Sequence, residues 1–138
     1  MLATDWLSEG DSLYSMGRYA EAVQAYGEAI RLDPEDADAW NKEGAALAAL
    51  GDHVGAIRAC DEAIRLYPEF ALAWNNRGFA LRNLGKLVEA IEAYDEAIRL
   101  DPGYVRAWIN KSGALEALGM RSEAESARGR ARELQSRR

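Results

Sequence analysis

The sequence predicts an all-α fold of stacked helix pairs, and three observations lead to this prediction. Trp, Ala and Pro residues recur at an interval of 34 residues, which is typical of stacked supersecondary units. Within each repeat, apolar residues fall three and four positions apart, as they do on one face of a helix. A Gly separates two such segments, and in the first three repeats a Pro follows the second. The recurring residues are Trp6, Trp40, Trp74 and Trp108; Ala22, Ala56, Ala90 and Ala124; and Pro34, Pro68 and Pro102.

Repeat one illustrates how each helix pair is predicted. Trp6, Gly10 and Leu13 form one packed stripe on the first helix. Gly17 is expected to end that helix in a left-handed conformation, which costs Gly little because it has no Cβ. Asp33 precedes a Pro and is therefore expected to end the second helix.

The second helices of repeats one and three carry a large residue at one recurring position. This residue is Tyr26 in repeat one and Tyr94 in repeat three. Cys60 takes the same position in repeat two, and we interpret it as a small buried apolar residue rather than a reactive thiol. Small partners such as Ala22 are expected to let the paired helices approach closely.

Repeat four departs from this pattern. Ser112 stands where the other repeats have Gly, and three apolar positions of the last helix have become Glu125, Arg128 and Arg132. A terminal repeat needs a polar outer face, so we interpret this helix as a polar cap. The alternative is a degenerate repeat cut from a longer protein.

The composition disfavours several classes of protein. The chain has 17 Lys and Arg against 23 Asp and Glu, with a net charge of −6, which disfavours a nucleic-acid partner. No apolar run is long enough to cross a bilayer, and no secretory signal pattern opens the chain. One Cys excludes an internal disulfide framework. We therefore expect a cytoplasmic protein with no membrane partner.

No constellation of residues predicts catalysis. The single His and the single Cys, His53 and Cys60, lie in a turn and on a core stripe, so they do not suggest a nucleophile and its base. No Gly-rich loop precedes a Lys-Ser or Lys-Thr pair. The acidic residues around Asp36 lack the Gly and terminal Glu of a calcium loop. We predict no enzyme activity, no cofactor and no metal site.

The recurring residues resemble the tetratricopeptide repeat, whose pattern is Trp, two residues, Leu-Gly, two residues and Tyr, with later Ala, Phe and Pro. The family's Leu is here a charged residue, such as Glu43 or Lys111, whose stem is expected to cover apolar surface. The resemblance implies a right-handed superhelix of four antiparallel helix pairs in a single domain, residues 1–138. The four repeats would be Ala3–Asp36, Ala37–Phe70, Ala71–Tyr104 and Val105–Arg138.

The resemblance also implies a binding site, because first helices of such arrays line a concave face that takes a peptide or a partner helix. Outside the packing stripes, this face carries amides able to bond a peptide backbone and one aromatic anchor, Phe79. Leu72 and Ile109 fall on the same face. The positions that grip a terminal carboxylate in chaperone-binding arrays are mostly filled by other residues here. The predicted partner-binding residues are Asn41, Lys42, Asn75, Asn76, Phe79, Arg82, Arg106 and Asn110.

The predicted function is that of a non-catalytic adaptor for a protein or peptide. A structural alternative is head-to-tail self-assembly into a weak homo-oligomer. Repeat one has 8 acidic and 2 basic residues, and repeat four has 4 and 8, so opposite ends could attract. RNA binding is disfavoured, because the chain lacks a basic inner face.

Overall fold

The computed structural model describes residues 1–137, and that part of the chain contains eight α-helices and no strand. Two compact units divide the chain, the first being Met1–Pro68 and the second beginning at Glu69. The helices of unit 1 are α1 (Ala3–Ser15), α2 (Tyr19–Leu32), α3 (Ala37–Ala49) and α4 (His53–Leu66). The helices of unit 2 are α5 (Ala71–Asn83), α6 (Leu87–Leu100), α7 (Val105–Ala117) and α8 (Arg121–Ser136).

Within each unit, every helix packs against the next one along the chain. In unit 1, α1 contacts α2, α2 contacts α3 and α3 contacts α4. In unit 2, α5 contacts α6, α6 contacts α7 and α7 contacts α8. The two first helices α5 and α7 also contact each other. Each predicted repeat thus contains two paired helices, as the sequence indicated.

The Gly between paired helices ends each first helix as predicted. Gly85 has a φ of +80° and donates its N–H to the carbonyl of Arg82 at 2.9 Å. Lys86 donates to the carbonyl of Leu81 at 2.9 Å, which completes a Schellman motif. Gly17, Gly51 and Gly119 have the same left-handed backbone.

The second helices also end where the sequence predicts. Asp33 lies just before a Pro, and its backbone is no longer helical, with φ −141° and ψ 84°. Asp36 then caps α3, because its Oδ1 accepts hydrogen bonds from the N–H groups of Asp38 and Ala39 at 3.0 and 3.3 Å. The acidic residues at this junction therefore begin a helix.

Paired helices approach closely at the Gly on each packing stripe. A Cβ atom placed on Gly78 would lie 2.6 Å from Cε1 of Tyr94 and 3.1 Å from the carbonyl oxygen of Ala90. A Cβ on Gly44 would lie 2.9 Å from Sγ of Cys60. Both partner side chains are fully buried, which confirms the interpretation of Cys60 as a packing residue.

The tryptophans are less buried than we expected for residues on a packing stripe. All four are half-buried, including Trp74. Trp40 donates its indole N–H to the carbonyl of Pro34 at 2.9 Å, and Trp108 donates to that of Pro102 at 3.0 Å. The indole reaches a turn carbonyl at the surface, so one ring edge remains near solvent.

The last helix has the polar surface that the sequence predicts. Glu125 and Arg132 are exposed, and Arg128 forms ion pairs with Glu116 at 2.8 Å and Glu125 at 3.3 Å. Ser112, which replaces the packing Gly, is buried, and its hydroxyl donates to the carbonyl of Ile109 at 2.7 Å. A Ser is tolerated there because the facing position holds Arg128 rather than a ring.

We expect Gly78→Ala to destabilise the protein by about 1–3 kcal/mol, because the new methyl overlaps the Tyr94 ring and a backbone carbonyl. Gly129→Ala is the matched control, since a Cβ there meets no atom within 4 Å. That change should stabilise α8 by about 0.5–1 kcal/mol. Urea unfolding measures both, and equal effects would contradict the packing described here.

Candidate binding face on helices α5 and α7

Unit 2 presents a mixed apolar and basic surface on its two first helices. Phe79 and Leu72 of α5 are 41% and 53% exposed, and Ile109 of α7 is 44% exposed. Arg82 of α5 and Arg106 of α7 are also exposed. These five residues define the α5–α7 face. Exposed apolar side chains grouped beside charged ones are typical of an interaction surface.

Gly113 of α7 lies beside the side chain of Arg82 of α5. A Cβ atom placed on Gly113 would lie 3.3 Å from Nη2 and 3.4 Å from Cζ of Arg82. The missing side chain on α7 therefore leaves room for the Arg82 guanidinium. The positive charge of Arg82 therefore lies beside α7 as well as α5.

The two arginines of the α5–α7 face are not held by a carboxylate at ion-pair distance among the described residues, although Asp101 lines the same cleft as Arg106. Within residues 1–137, neither Arg82 nor Arg106 forms an ion pair. By contrast, Arg99 on the second helix α6 pairs with Glu96 in the preceding turn. The face therefore offers two cations to a ligand, on a chain whose net charge is −6.

The structure corrects the expected exposure of two predicted residues. Asn41 and Asn75 are buried, with only 4% and 2% of their surface exposed. Oδ1 of Asn75 accepts a hydrogen bond from Nδ2 of Asn110 at 3.1 Å, which joins α5 to α7. Burial raises the pKa of Tyr104, while Arg106 and the Asn75 side chain act in the opposite direction. Asn75 is thus covered by α7 and is part of the packing.

A signal for this burial was present in the sequence. The positions equivalent to Asn41 and Asn75 hold Leu7 and Ile109 in the outer repeats. Apolar residues at a recurring position indicate contact with a neighbouring helix. Ile109 remains exposed because no further first helix follows α7 among the described residues.

The remaining amides on this face are only partly accessible. Asn76 and Asn110 are half-buried. Asn110 already donates one N–H to Asn75, so it has limited capacity left for a ligand. The exposed part of the face is therefore more apolar and more basic than the predicted row of amides.

In unit 1, Lys42 is held by two carboxylates rather than being open to a partner. Its Nζ lies 2.9 Å from Oδ2 of Asp11 and 3.3 Å from Oδ2 of Asp38. Oδ1 of Asp11 also accepts a hydrogen bond from the Tyr26 hydroxyl at 2.7 Å. Burial acts to lower the pKa of Lys42, but its hydrogen bonds and the nearby charges raise it overall. No pattern in the sequence predicted this network.

A cleft adjoins the α7 side of the face. It has a volume of about 640 Å³ and lies between the start of α7 and the end of α8. Arg106, Ile109 and Asn110 line it together with Tyr104 and Gln135. The cleft therefore extends the α5–α7 face with further polar groups.

Two further findings concern the described residues as a whole. They contain no group of three or more His, Cys, Asp or Glu side chains placed to hold a metal ion. None of their helices has the length and apolar character needed to cross a membrane.

Comparison with known families and structures identifies the repeats. Residues 7–69 and 71–104 match tetratricopeptide repeat families. Residues 55–84 also match the protein prenyltransferase alpha subunit repeat. The chain therefore belongs to the tetratricopeptide repeat family. No curated protein matches the sequence.

Solved structures agree with this assignment. The chain is similar to MamA, with 28% identity, a TM-score of 0.90, and coverage of 98% of this chain and 79% of that one. It is similar to the first tetratricopeptide domain of Spaghetti (RPAP3), bound to the HSP90 peptide SRMEEVD, with 26% identity and a TM-score of 0.82 over 85% of this chain and 93% of that one. The chain shares the fold of the Sgt2 tetratricopeptide domain from Aspergillus fumigatus. The identity is 22%, and the TM-score is 0.82 over 85% of this chain and 79% of that one. These likenesses confirm the all-α fold class of paired helices.

We expect Asn75→Ala to destabilise the protein by about 1–3 kcal/mol, because it leaves the polar side chain of Asn110 without its partner. A double-mutant cycle with Asn110→Ala should give a coupling energy of about 0.5 kcal/mol or more in thermal or urea unfolding. If the changes in unfolding free energy of the two single variants add up to that of the double variant, this hydrogen bond contributes nothing to stability.

Proposed function

We propose that this protein is a non-catalytic interaction module that binds an extended segment of a partner protein on the α5–α7 face. The observation that carries this proposal is the grouping of three exposed apolar side chains with two arginines that form no ion pair with any residue in the described range 1–137. Apolar anchors and Arg are enriched among residues that dominate binding energy at interfaces. Apart from the Arg82 side chain beside Gly113, the exposure of these side chains leaves them outside the packed core of unit 2.

The chemistry of the face favours an acidic partner with apolar residues. Phe79 and Arg82 lie three positions apart on α5, so an apolar anchor and a positive charge are adjacent on one helix face. Arg106 on α7 adds a second positive charge. A segment that alternates apolar and acidic side chains satisfies both kinds of group.

The family likeness supports a peptide ligand without naming it. The Spaghetti (RPAP3) domain, which is similar to this chain, is solved with a bound HSP90 peptide. The clamp positions that grip a terminal carboxylate in chaperone-binding arrays are not reproduced here, since Asn41 is buried and Ala45 carries no polar group. The proposed ligand is therefore an internal acidic segment rather than the same terminal motif.

Binding can be tested with peptides selected from a random nonapeptide display library on the immobilised protein. We expect the selected peptides to contain acidic and apolar residues. Phe79→Ala should weaken their binding by about 2 kcal/mol, roughly thirtyfold, because an exposed aromatic anchor is removed. Fluorescence anisotropy with a labelled selected peptide measures the change.

The matched control is Val88→Ala on α6, which removes another exposed apolar side chain away from the first helices. This variant should bind the peptide as wild type does. Thermal unfolding should change by less than about 0.5 kcal/mol in both variants, since both side chains are at the surface. Equal binding by wild type and Phe79→Ala would refute the proposed site.

A second candidate function is self-association, favoured by two equivalent clefts of different charge. In repeat one, the cleft between the paired helices has a volume of about 570 Å³ and is lined by Glu9, Glu21 and Glu28. In repeat four, the cleft at the same positions has a volume of about 360 Å³; Lys111 and Arg130 replace two of the three glutamates, and Glu123 retains the third. Opposite charge at equivalent sites would allow the ends of two molecules to attract each other.

If the ends associate, sedimentation velocity should show larger species at low salt that disappear near 1 M salt, because screening weakens exposed charge pairs. Changing both Glu21 and Glu28 to Lys should prevent the association. The control is Glu89→Lys on α6, an exposed acidic residue in neither cleft. A monomer at every concentration and salt level would exclude this function.

A further inference from the structure

Tyr94 carries a buried hydroxyl that has no hydrogen-bond partner among the described residues. The side chain is fully buried, with 0% of its surface exposed. Buried hydroxyl groups are nearly always hydrogen-bonded, so an unpaired one calls for an explanation. Burial raises the pKa of Tyr94 to about 12, so at neutral pH the hydroxyl keeps its proton and can donate it to an acceptor.

The equivalent tyrosine in repeat one shows which acceptor suits this position. The hydroxyl of Tyr26 donates to Oδ1 of Asp11 at 2.7 Å. Oδ2 of the same carboxylate accepts from Nζ of Lys42 at 2.9 Å. In repeat one, a carboxylate therefore bridges a tyrosine hydroxyl and a cation.

Repeat three retains the hydroxyl but not the carboxylate, and Asn110 stands at the position that corresponds to Lys42. Phe79 occupies the position of Asp11, since each lies 15 residues before its tyrosine. Arg82 supplies a cation from a different position: it follows Gly78, which lies against the Tyr94 ring, by about one turn of α5, and its guanidinium lies against Gly113. Its charge also opposes the effect of burial on the pKa of Tyr94. Arg82 forms no ion pair within residues 1–137.

We propose that the Tyr94 hydroxyl and the Arg82 guanidinium form a carboxylate-binding subsite that takes an Asp or Glu side chain of the partner segment. This inference rests on the proposed function and specifies the ligand chemistry of the same face. The partner carboxylate accepts from Tyr94 and pairs with Arg82, as Asp11 accepts from Tyr26 and pairs with Lys42. Such charge-assisted hydrogen bonds are stronger than neutral ones.

Access to the hydroxyl requires Phe79 to move. Phe79 is 41% exposed and leaves the backbone where Asp11 does in repeat one, and Asp11 contacts the tyrosine hydroxyl there, so the subsite requires Phe79 to be the side chain that moves. Exposed side chains change rotamer on the nanosecond timescale, and no backbone motion is needed. The apolar ring then remains available to pack on the apolar part of the ligand.

The first test uses blocked single amino acids, N-acetyl-glutamate amide and its uncharged counterpart N-acetyl-glutamine amide, in NMR titrations of the intact chain. We expect the glutamate compound alone to shift the Arg82 Nε–H and Tyr94 ring resonances. The substitution Tyr94→Phe should raise the dissociation constant of the glutamate compound about tenfold, because one charge-assisted hydrogen bond is lost. An absence of shifts, or equal affinity in the variant, would overturn the subsite.

Tyr26→Phe is the matched control for folding and for binding. It removes a hydroxyl that already has an acceptor, so it should lower the thermal midpoint while leaving the titration unchanged. Tyr94→Phe should leave the midpoint equal or higher, because the lost hydroxyl had no partner. A midpoint loss in Tyr94→Phe as large as in Tyr26→Phe would mean that Tyr94 has a structural partner, and the inference would be wrong.

A second pair of variants places a carboxylate within the chain itself. Phe79→Asp reproduces the arrangement of Asp11 and should exclude N-acetyl-glutamate amide, whereas the uncharged Phe79→Asn should still bind it. Phe79→Asp should also melt at a higher temperature than Phe79→Asn, since it gives Tyr94 an acceptor. Equal binding and equal midpoints in the two variants would count against the subsite.

The outcomes separate this inference from the proposed function. If the display library yields peptides that need Phe79 but bind Tyr94→Phe and Arg82→Gln as they bind wild type, the face is a binding site and the subsite is wrong. If no peptide is selected while the glutamate compound binds as expected, the subsite stands and the extended peptide ligand is refuted.

Discussion

The close approach of paired helices is the constraint on which the other features depend. In repeats one to three, a Gly on the first helix lies against a buried side chain of the second, as Gly78 lies against Tyr94. A larger residue would push the helices apart, and in repeat four Ser112 is accommodated because the facing residue is Arg128. The Tyr26 ring passes the first helix at Gly10, and its hydroxyl therefore reaches Asp11 on that helix.

The same backbone positions carry different chemistry in the two units. In unit 1, Asp11 and Asp38 neutralise Lys42, so the first helices offer little uncompensated charge there. In unit 2, the corresponding surface has Phe79 and Arg82 and no such carboxylate. A repeat fold permits this divergence, because each repeat's packing depends on its stripe residues and its neighbours rather than on the outward face. Function on such a scaffold therefore varies while the helix geometry remains constant.

The helices and their ends could be predicted from the sequence because their signals are local. Gly85 needs only its left-handed backbone, and Asp33 needs only the Pro that follows it. The burial of Asn75 has no signal within its own helix, and it is indicated only when the apolar residues Leu7 and Ile109 at the equivalent positions of other repeats are compared with it. The bridge from Tyr26 to Asp11 and Lys42 joins three helices, so no spacing within one helix reveals it. Whether the partner-binding residues bind a ligand remains a prediction.

The hydrogen bond between Asn75 and Asn110 bears on how strongly the proposed ligand would bind. Asn75 and Asn110 join α5 to α7 below the exposed residues, and Arg82 lies against Gly113 on the neighbouring helix. Because Asn75 is buried, its hydrogen bond with Asn110 forms only when both helices are correctly placed, so it favours one arrangement of the two helices over sliding alternatives. The α5–α7 face is therefore largely ordered before a ligand arrives. If a ligand binds this face as proposed, less of the binding free energy is lost in ordering the protein.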